Sequence, residues 1–387
     1  MENGRLSGHP QSSILVGRVR TKRLQKMNRL RLGILSTANI GRQNWKAVFN
    51  SGNAVVAAVA SRDAGRSRDF IRKCQGEFPF ATEPAALGSY EELLASKDID
   101  AVYIPVPTGL RQEWVLRAAA AGKHVICEKP CGVSYADVQE MTDACRRHHV
   151  QFMDGVMFMH NPRLARVREF LDDGKSVGPL RRITSAFSFL GTGDFSDNNI
   201  RVDGRLEPAG CLGDLGWYCI RFTLWVLNWQ LPHTITARSL AQSEPVAGRV
   251  SATTDFSAEL LFDNGISAAF YSSFITSPQQ WVFVSGRDGW LRVPDFVHPF
   301  NGREPSFEVN RTEIRVPMAP GAPVTAPGSD PGELGHPTAQ NTIMIRNFAN
   351  QVFSGKLNED WPMWALKTQQ VMDACFESAR KGLESRL

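Results

Sequence analysis

Apolar and polar positions follow two rhythms along this chain, and the rhythm changes near residue 155. In the first stretch, short apolar runs alternate with amphipathic segments. Residues 31–36 (RLGILS) and 54–60 (AVVAAVA) are apolar runs of the kind that suits buried strands. Residues 101–105, 124–127 and 151–154 repeat the pattern. Between them, 39–49, 66–73, 90–95, 114–121 and 135–149 have helical character. Ser89 followed by Glu92 is a capping-box pattern, and Gly122 is a helix stop. Strands alternating with helices at this spacing predict a parallel, doubly wound sheet with helices on both faces.

After residue 155 the chain reads mainly as strands, at 180–190, 234–240, 254–261, 267–274, 280–285 and 290–293. Phe262-Asp263-Asn264-Gly265 and Gly286-Arg287-Asp288-Gly289 carry hairpin-turn chemistry. Residues 300–339, rich in Pro and Gly, predict a long excursion, and 341–353 and 364–382 two closing helices. The expected fold class is α/β: an N-terminal Rossmann doubly wound parallel sheet, then an α+β domain with a large, mostly antiparallel open sheet. The expected division is a basic tail at 1–28, a dinucleotide-binding domain at 29–155 and a substrate and oligomerisation domain at 156–387.

Composition changes this picture little. Hydrophobic residues make up 42% and charged residues 21%, which is ordinary for a globular chain of two domains. The net charge of +5 gathers its excess at the start, in Arg18, Arg20, Lys22, Arg23, Lys26, Arg29 and Arg31. That arm reads as a tail rather than a nucleic-acid or membrane contact. No apolar run reaches about 18 residues, so no membrane span is expected. The seven cysteines include no CxxC pair, so neither a disulfide framework nor a metal site is expected; they read as buried thiols in a reducing cytoplasm.

The first candidate chemistry lies where the first strand ends, at Ser36-Thr37-Ala38-Asn39-Ile40-Gly41. Positions 36, 38 and 41 have GxGxxG spacing, with Ser36 and Ala38 in place of two glycines. A dinucleotide site needs small residues there for the tight turn, the pyrophosphate and the helix–strand packing, and the start of the helix, at Asn39 and Ile40, faces the phosphates. About 20 residues on, where an NAD site usually places an acid, stand Ser61, Arg62 and Asp63, with Arg66 close behind. A hydroxyl with guanidinium groups suits a 2′-phosphate, so NADP is favoured with NAD possible; Asp63 weighs the other way.

The string Ala121-Gly122-Lys123-His124-Val125-Ile126-Cys127-Glu128-Lys129-Pro130 resembles the Gfo/Idh/MocA oxidoreductase family. The resemblance extends from about residue 29 to 385, and includes the segment from Gly210 to Tyr218, the Gly286–Gly289 turn region and the C-terminal helix. It implies that Lys129 sits at the nicotinamide and substrate, that Glu128 contacts cofactor or positions Lys129, and that Pro130 is a candidate for a cis bond. In Asp214-Leu215-Gly216-Trp217-Tyr218 it implies Tyr218 as general acid/base and Asp214 as the group that binds substrate hydroxyls or orients Lys129. Val106-Pro107-Thr108 stands where the family has Thr-Pro-Asn, which makes Pro107 and Thr108 cofactor candidates. Arg111 stands where a histidine is common, and the glycine run before the aspartate motif shrinks to Pro208-Ala209-Gly210. Arg201 is a candidate for substrate binding or a structural salt bridge, and His160 for the pocket or a linker contact; His336 is a further candidate.

The expected activity is NAD(P)-dependent hydride transfer to or from a carbinol carbon of a sugar, polyol or dihydrodiol, a small polyhydroxylated substrate, with the protein a cytoplasmic homodimer or homotetramer paired through the open sheet. Two alternatives stand beside it. One is an NAD-dependent glycoside hydrolase that keeps its cofactor, the other a non-catalytic nucleotide-binding regulator.

Overall fold

The structure, a computed structural model, describes residues 29–387 apart from 194, 196–198, 247, 300–305, 311–322 and 326–338. The basic tail, His336 and most of the 300–339 excursion therefore lie outside the described residues.

Six parallel strands form the first sheet: β1 (Leu30–Leu35), β2 (Ala54–Ala60), β3 (Ala85–Leu87), β4 (Ala101–Ile104), β5 (His124–Cys127) and β6 (Phe152–Asp154). Their order is β3-β2-β1-β4-β5-β6, the doubly wound arrangement expected. Ile34, Val59, Val102 and Val125 are completely buried, as the continuous apolar runs require. The connecting helices are α1 (Asn39–Ser51), α2 (Ala64–Glu77), α3 (Tyr90–Ala95), α4 (Thr108–Ala120) and α5 (Tyr135–Arg147). The order in which strands are added reverses between β1 and β4, so the loops leaving these strands open a crevice at their carboxyl ends.

Helix α4 starts six residues before the expected 114. Pro105 and Pro107 looked like a stop, but Pro107 is the N-cap, and proline is tolerated at a helix start where no N–H is required.

After β6 comes α6 (Arg163–Asp172), a helix that the strand-rich reading missed. The second sheet has nine strands: β7 (Leu180–Leu190), β8 (Thr234–Gln242), β9 (Thr253–Leu261), β10 (Ser267–Ser273), β11 (Ile275–Gly286), β12 (Trp290–Val293), β13 (Ser306–Asn310), β14 (Pro323–Thr325) and β15 (Ser385–Arg386). They are ordered β14-β13-β12-β11-β7-β10-β9-β8-β15 and are antiparallel except for the β7–β10 pair. Phe256, Ala258 and Leu260 on β9 face inward, alternating with half-buried Ser257 and Glu259. The inner face packs on α7 (Trp217–Val226) and on the last of the closing helices α8 (Gln340–Phe353) and α9 (Asp360–Lys381), while α8 packs on α1. All seven cysteines are buried and unpaired. Among the described residues no helix is long and apolar enough to cross a membrane.

Candidate active site

A cavity of about 820 Å³ lies between the crevice of the first sheet and the inner face of the second. One wall is the β1–α1 turn. Ser36 has φ +137°, in the region that favours glycine, which places it at the tight-turn position of the GxGxxG spacing. Ala38 is the N-cap of α1 and offers no side-chain cap, and the first turn holds no acid. The helix thus presents its orphan N–H groups and positive end toward the cavity, which Ala38, Asn39, Ile40, Gln43 and Asn44 line.

Glu128 closes this wall through a buried relay. Asn44 Nδ2 donates to Tyr103 Oη (2.6 Å), and Tyr103 Oη donates to Glu128 Oε1 (2.6 Å). Burial and the neighbouring Glu128 carboxylate raise the Tyr103 phenol well above its ordinary range, so it remains a donor.

Lys129 follows Glu128 at the end of β5, and its peptide bond to Pro130 is cis. Its ammonium donates to Asp214 Oδ1 (2.6 Å) and to the Asp214 carbonyl (2.7 Å), and lies 4.7 Å from the centre of the Tyr218 ring. Arg201 Nε meets the other carboxylate oxygen, Asp214 Oδ2, at 2.9 Å. Burial opposes ionisation of Asp214, but Arg201 and Lys129 outweigh it and hold the carboxyl well below the usual range. Arg201 is pushed up in turn, chiefly by Asp214. Asp214 sits in a π-helical turn, Leu212–Gly216, that runs straight into α7 and aims both Asp214 and Tyr218 into the cavity. Burial, then Glu128 and Asp214, raise the Tyr218 phenol well above its ordinary range. Its hydroxyl touches only Met157 Sδ among the described residues, at 3.7 Å. The single glycine kept before this motif is required: Gly210 has φ +50°, and a Cβ there would lie 2.2 Å from the Thr253 carbonyl oxygen.

Several sequence candidates have other partners within the chain. His160 does not line the cavity. It packs edge-on against Trp361 and pairs with Asn347 at 3.2 Å, and burial, then Arg221, depress it to about 4. Pro107 and Thr108 are not among the residues that line the cavity, whereas Val106 and Arg111 on either side of them are. Thr108 instead donates to Glu207 Oε2 (2.5 Å), tying α4 to the loop that carries Arg201. Asp63 is exposed, and its Oδ1 accepts from Gly65 N (2.7 Å) as the cap of α2. Ser61 is likewise committed inside the chain, donating to the Asp63 carbonyl (2.6 Å) and accepting from Ser67. Arg62 is exposed, and neither it nor Arg66 has a carboxylate partner among the described residues.

Several cavity residues escaped the sequence reading. Arg111 donates to the Val106 carbonyl (2.8 Å), to Thr108 Oγ1 (2.9 Å) and to the Pro130 carbonyl, so it fastens the turn that presents Lys129. Phe187, Phe189 and Phe195 form an aromatic wall, and Gln280, His298 and Asn341 join from the second sheet and its flanks. Only the departure at Arg111 left a signal in sequence.

Comparison with known proteins agrees with this geometry. The oxidoreductase family with an NAD-binding Rossmann fold, Gfo/Idh/MocA, matches residues 30–156, and the Gfo/Idh/MocA C-terminal domain matches 164–292. The chain is 30% identical to a D-xylose 1-dehydrogenase (NADP(+)) of Haloferax volcanii, over 90% of this chain and 97% of that one. It is 30% identical to trans-1,2-dihydrobenzene-1,2-diol dehydrogenase of Mus musculus, over 72% and 80%. A 3-ketoreductase from Actinomadura kijaniata, solved with NADP and TDP-benzene, superposes with a TM-score of 0.75 at 25% identity, covering 91% of this chain and 98% of that one.

Proposed function

The chain belongs to the Gfo/Idh/MocA family of NAD(P)-dependent oxidoreductases, and on that premise we propose that it is an NADP-dependent enzyme of a sugar, polyol or dihydrodiol, with Lys129 and Tyr218 at the reacting oxygen. The observation that carries this reading is the Lys129–Asp214–Arg201 cluster, set against Tyr218 at the mouth of the dinucleotide crevice.

The residues present fit a dinucleotide. The uncapped start of α1 supplies N–H groups for phosphate, and Gly41 lets the helix pack against Ile34. The Asn44 amide oxygen is buried with no partner among the described residues, an acceptor that a bound donor would satisfy. Arg62 and Arg66 would hold a 2′-phosphate, with the Ser61–Asp63 turn as their support. When bound, the nicotinamide supplies hydride exchange with the substrate carbon.

The chain's own groups handle the oxygen. An ammonium has three donors, and Asp214 takes two of those on Lys129. The third is left for the substrate oxygen, where it stabilises developing negative charge. Tyr218, held protonated, gives its proton to that oxygen during reduction and takes it back during oxidation. Asp214 orients Lys129 and stays ionised throughout. Arg201 turns a free edge of its guanidinium to the substrate.

We further propose the functional division at 29–155 and 156–387, and pairing of two or more chains through the outer face of the nine-stranded sheet. The test of the whole reading is titration of the protein with NADPH and NADH, followed by a sugar, polyol and dihydrodiol panel read at the reduced-cofactor absorbance. Tight NADPH binding with turnover supports it, and failure to bind either cofactor overturns it.

A further inference from the structure

The segment from Asp295 to His298, which follows β12, has no regular secondary structure, yet polar side chains from three other elements fix it. Arg163, at the start of α6, donates to Asp295 Oδ1 (2.5 Å) and to the Asp295 carbonyl (3.0 Å). Gln340, at the start of α8, donates to the Val297 carbonyl (2.6 Å). Gln280 on β11 clamps the backbone of His298 from both sides: its Nε2 donates to the His298 carbonyl (2.6 Å), and its Oε1 accepts from the His298 N–H (2.6 Å). Arg163, Gln280 and Gln340 are all buried. Buried hydrogen bonds of this number rigidify what they hold.

What this clamped segment presents to the cavity is the imidazole of His298. The ring is open to the cavity and sits edge-on to Phe187 at 6.2 Å, and Phe187 is itself edge-on to Tyr218 at 5.5 Å. Neither ring nitrogen has a hydrogen-bond partner among the described residues. We propose that His298 is a substrate-contacting residue that hydrogen-bonds a hydroxyl of an uncharged polyol from the second-sheet wall of the cavity. This rests on the oxidoreductase reading above.

The surroundings favour a neutral imidazole. Residue 298 is exposed by surface area; desolvation on the ring's cavity side, then the Lys129 ammonium, push it down, and Asp214 opposes this only in part. A neutral imidazole has one donor and one acceptor nitrogen, which matches a hydroxyl; an anion would require the protonated ring. His298 is hydrogen-bonded to neither Lys129 nor Tyr218, and the hydroxyl it would hold is not the reacting oxygen, so the contact acts on KM rather than on kcat.

The clamp uses only the backbone of residue 298, so side-chain variants keep the segment in place. The experiment compares wild type, His298→Ala and His298→Gln with NADPH titration, thermal melting, and kcat and KM on the best panel substrate and its single-deoxy analogues. The expected result for His298→Ala is a KM raised about tenfold to a hundredfold with little change in kcat. Gln, which can still donate and accept, recovers part of the loss. One deoxy analogue is expected to show equal KM in wild type and His298→Ala, because the hydroxyl and its partner are then both gone. If wild type turns over and His298→Ala has an unchanged KM with every analogue, the inference fails while the oxidoreductase reading stands. If wild type binds NADPH but turns over no polyol, that reading fails and His298 loses the hydroxyl assigned to it.

Discussion

Two ionic clusters lie about two turns apart on one short helical stretch, and they use the same chemistry to different ends. At the start, Asp214 is held by Lys129 and Arg201. One turn into α7, Arg221 is fully buried and pairs with Asp154 Oδ2 at 2.5 Å, gives its Nε–H to Thr368 (2.7 Å), and lies over the rings of Trp217 and Trp229. The Arg221 cluster is closed and nothing of it reaches the cavity. The Asp214 cluster keeps one donor of Lys129 and an edge of Arg201 for a visitor. Unspent hydrogen-bonding capacity, rather than charge or burial, separates the site from the scaffold.

The largest effect that would break this comparison is at Lys129. Lys129→Met removes the open donor but leaves Asp214 paired with Arg201, so the fold is expected to hold. The expected fall in kcat is about a thousandfold or more, with NADPH affinity by fluorescence essentially unchanged. A variant that retained near wild-type kcat would show that the spare donor has no part in the chemistry.

Tyr218→Phe tests the partner of that donor, with an expected loss of about a hundredfold to ten-thousandfold. The pH dependence carries the sign. The phenol is raised, so at neutral pH it is protonated: the acid form is abundant and the base form scarce. Reduction should therefore be flat through neutrality, while oxidation should rise about tenfold per pH unit. The rise should vanish in Tyr218→Phe.

The closed cluster should respond in the opposite way. Arg221→Met strands a buried Asp154 and is expected to cost about 3–5 kcal/mol in chemical denaturation. Adding Asp154→Leu should recover most of it, since a buried pair often gives way to apolar packing at little net cost. Turnover per folded molecule should change far less than in Lys129→Met.

The same distinction explains what could be read in the sequence. Five of the six strands of the first sheet were legible because residues such as Ile34 and Val102 face helices on both sides and leave continuous apolar runs; β3, three residues long and partly exposed, was not. Helix α6 was not, because its charged sequence RLARVREFLD hides Arg163, which is buried only by pairing with Asp295. Lys129 and Tyr218 stood out through motifs, although no local periodicity could show that they meet. His298 had neither motif nor period; three clamps distant in sequence put it in the cavity. His160 was left open between pocket and linker for the converse reason, since a histidine at a strand exit looks alike whether Asn347 and Trp361 receive it or a ligand does.

At the cofactor end the open group is Arg62. Arg62→Glu is expected to shift the ratio of NADPH to NADH affinity about tenfold to a hundredfold toward NADH, the worth of a charge-assisted contact exchanged for repulsion.

The smallest effect belongs to Asp63, and it is the most discriminating because an acid at this point of a dinucleotide fold ordinarily speaks for NAD. Here Asp63 Oδ1 already accepts from Gly65 N, which fixes the carboxylate at the cap, and its neighbour Ser61 donates to the Asp63 carbonyl. Asp63→Ala should therefore behave as a lost helix cap, costing about 1 kcal/mol in chemical denaturation, with the NADPH to NADH affinity ratio unchanged within about twofold. A tenfold change in that ratio, on the order of 1.4 kcal/mol, would mean that the carboxylate leaves its cap to reach a ribose. Groups already engaged within the chain would then still be available to ligands, and the line drawn between Asp214 and Asp154 would have to be redrawn.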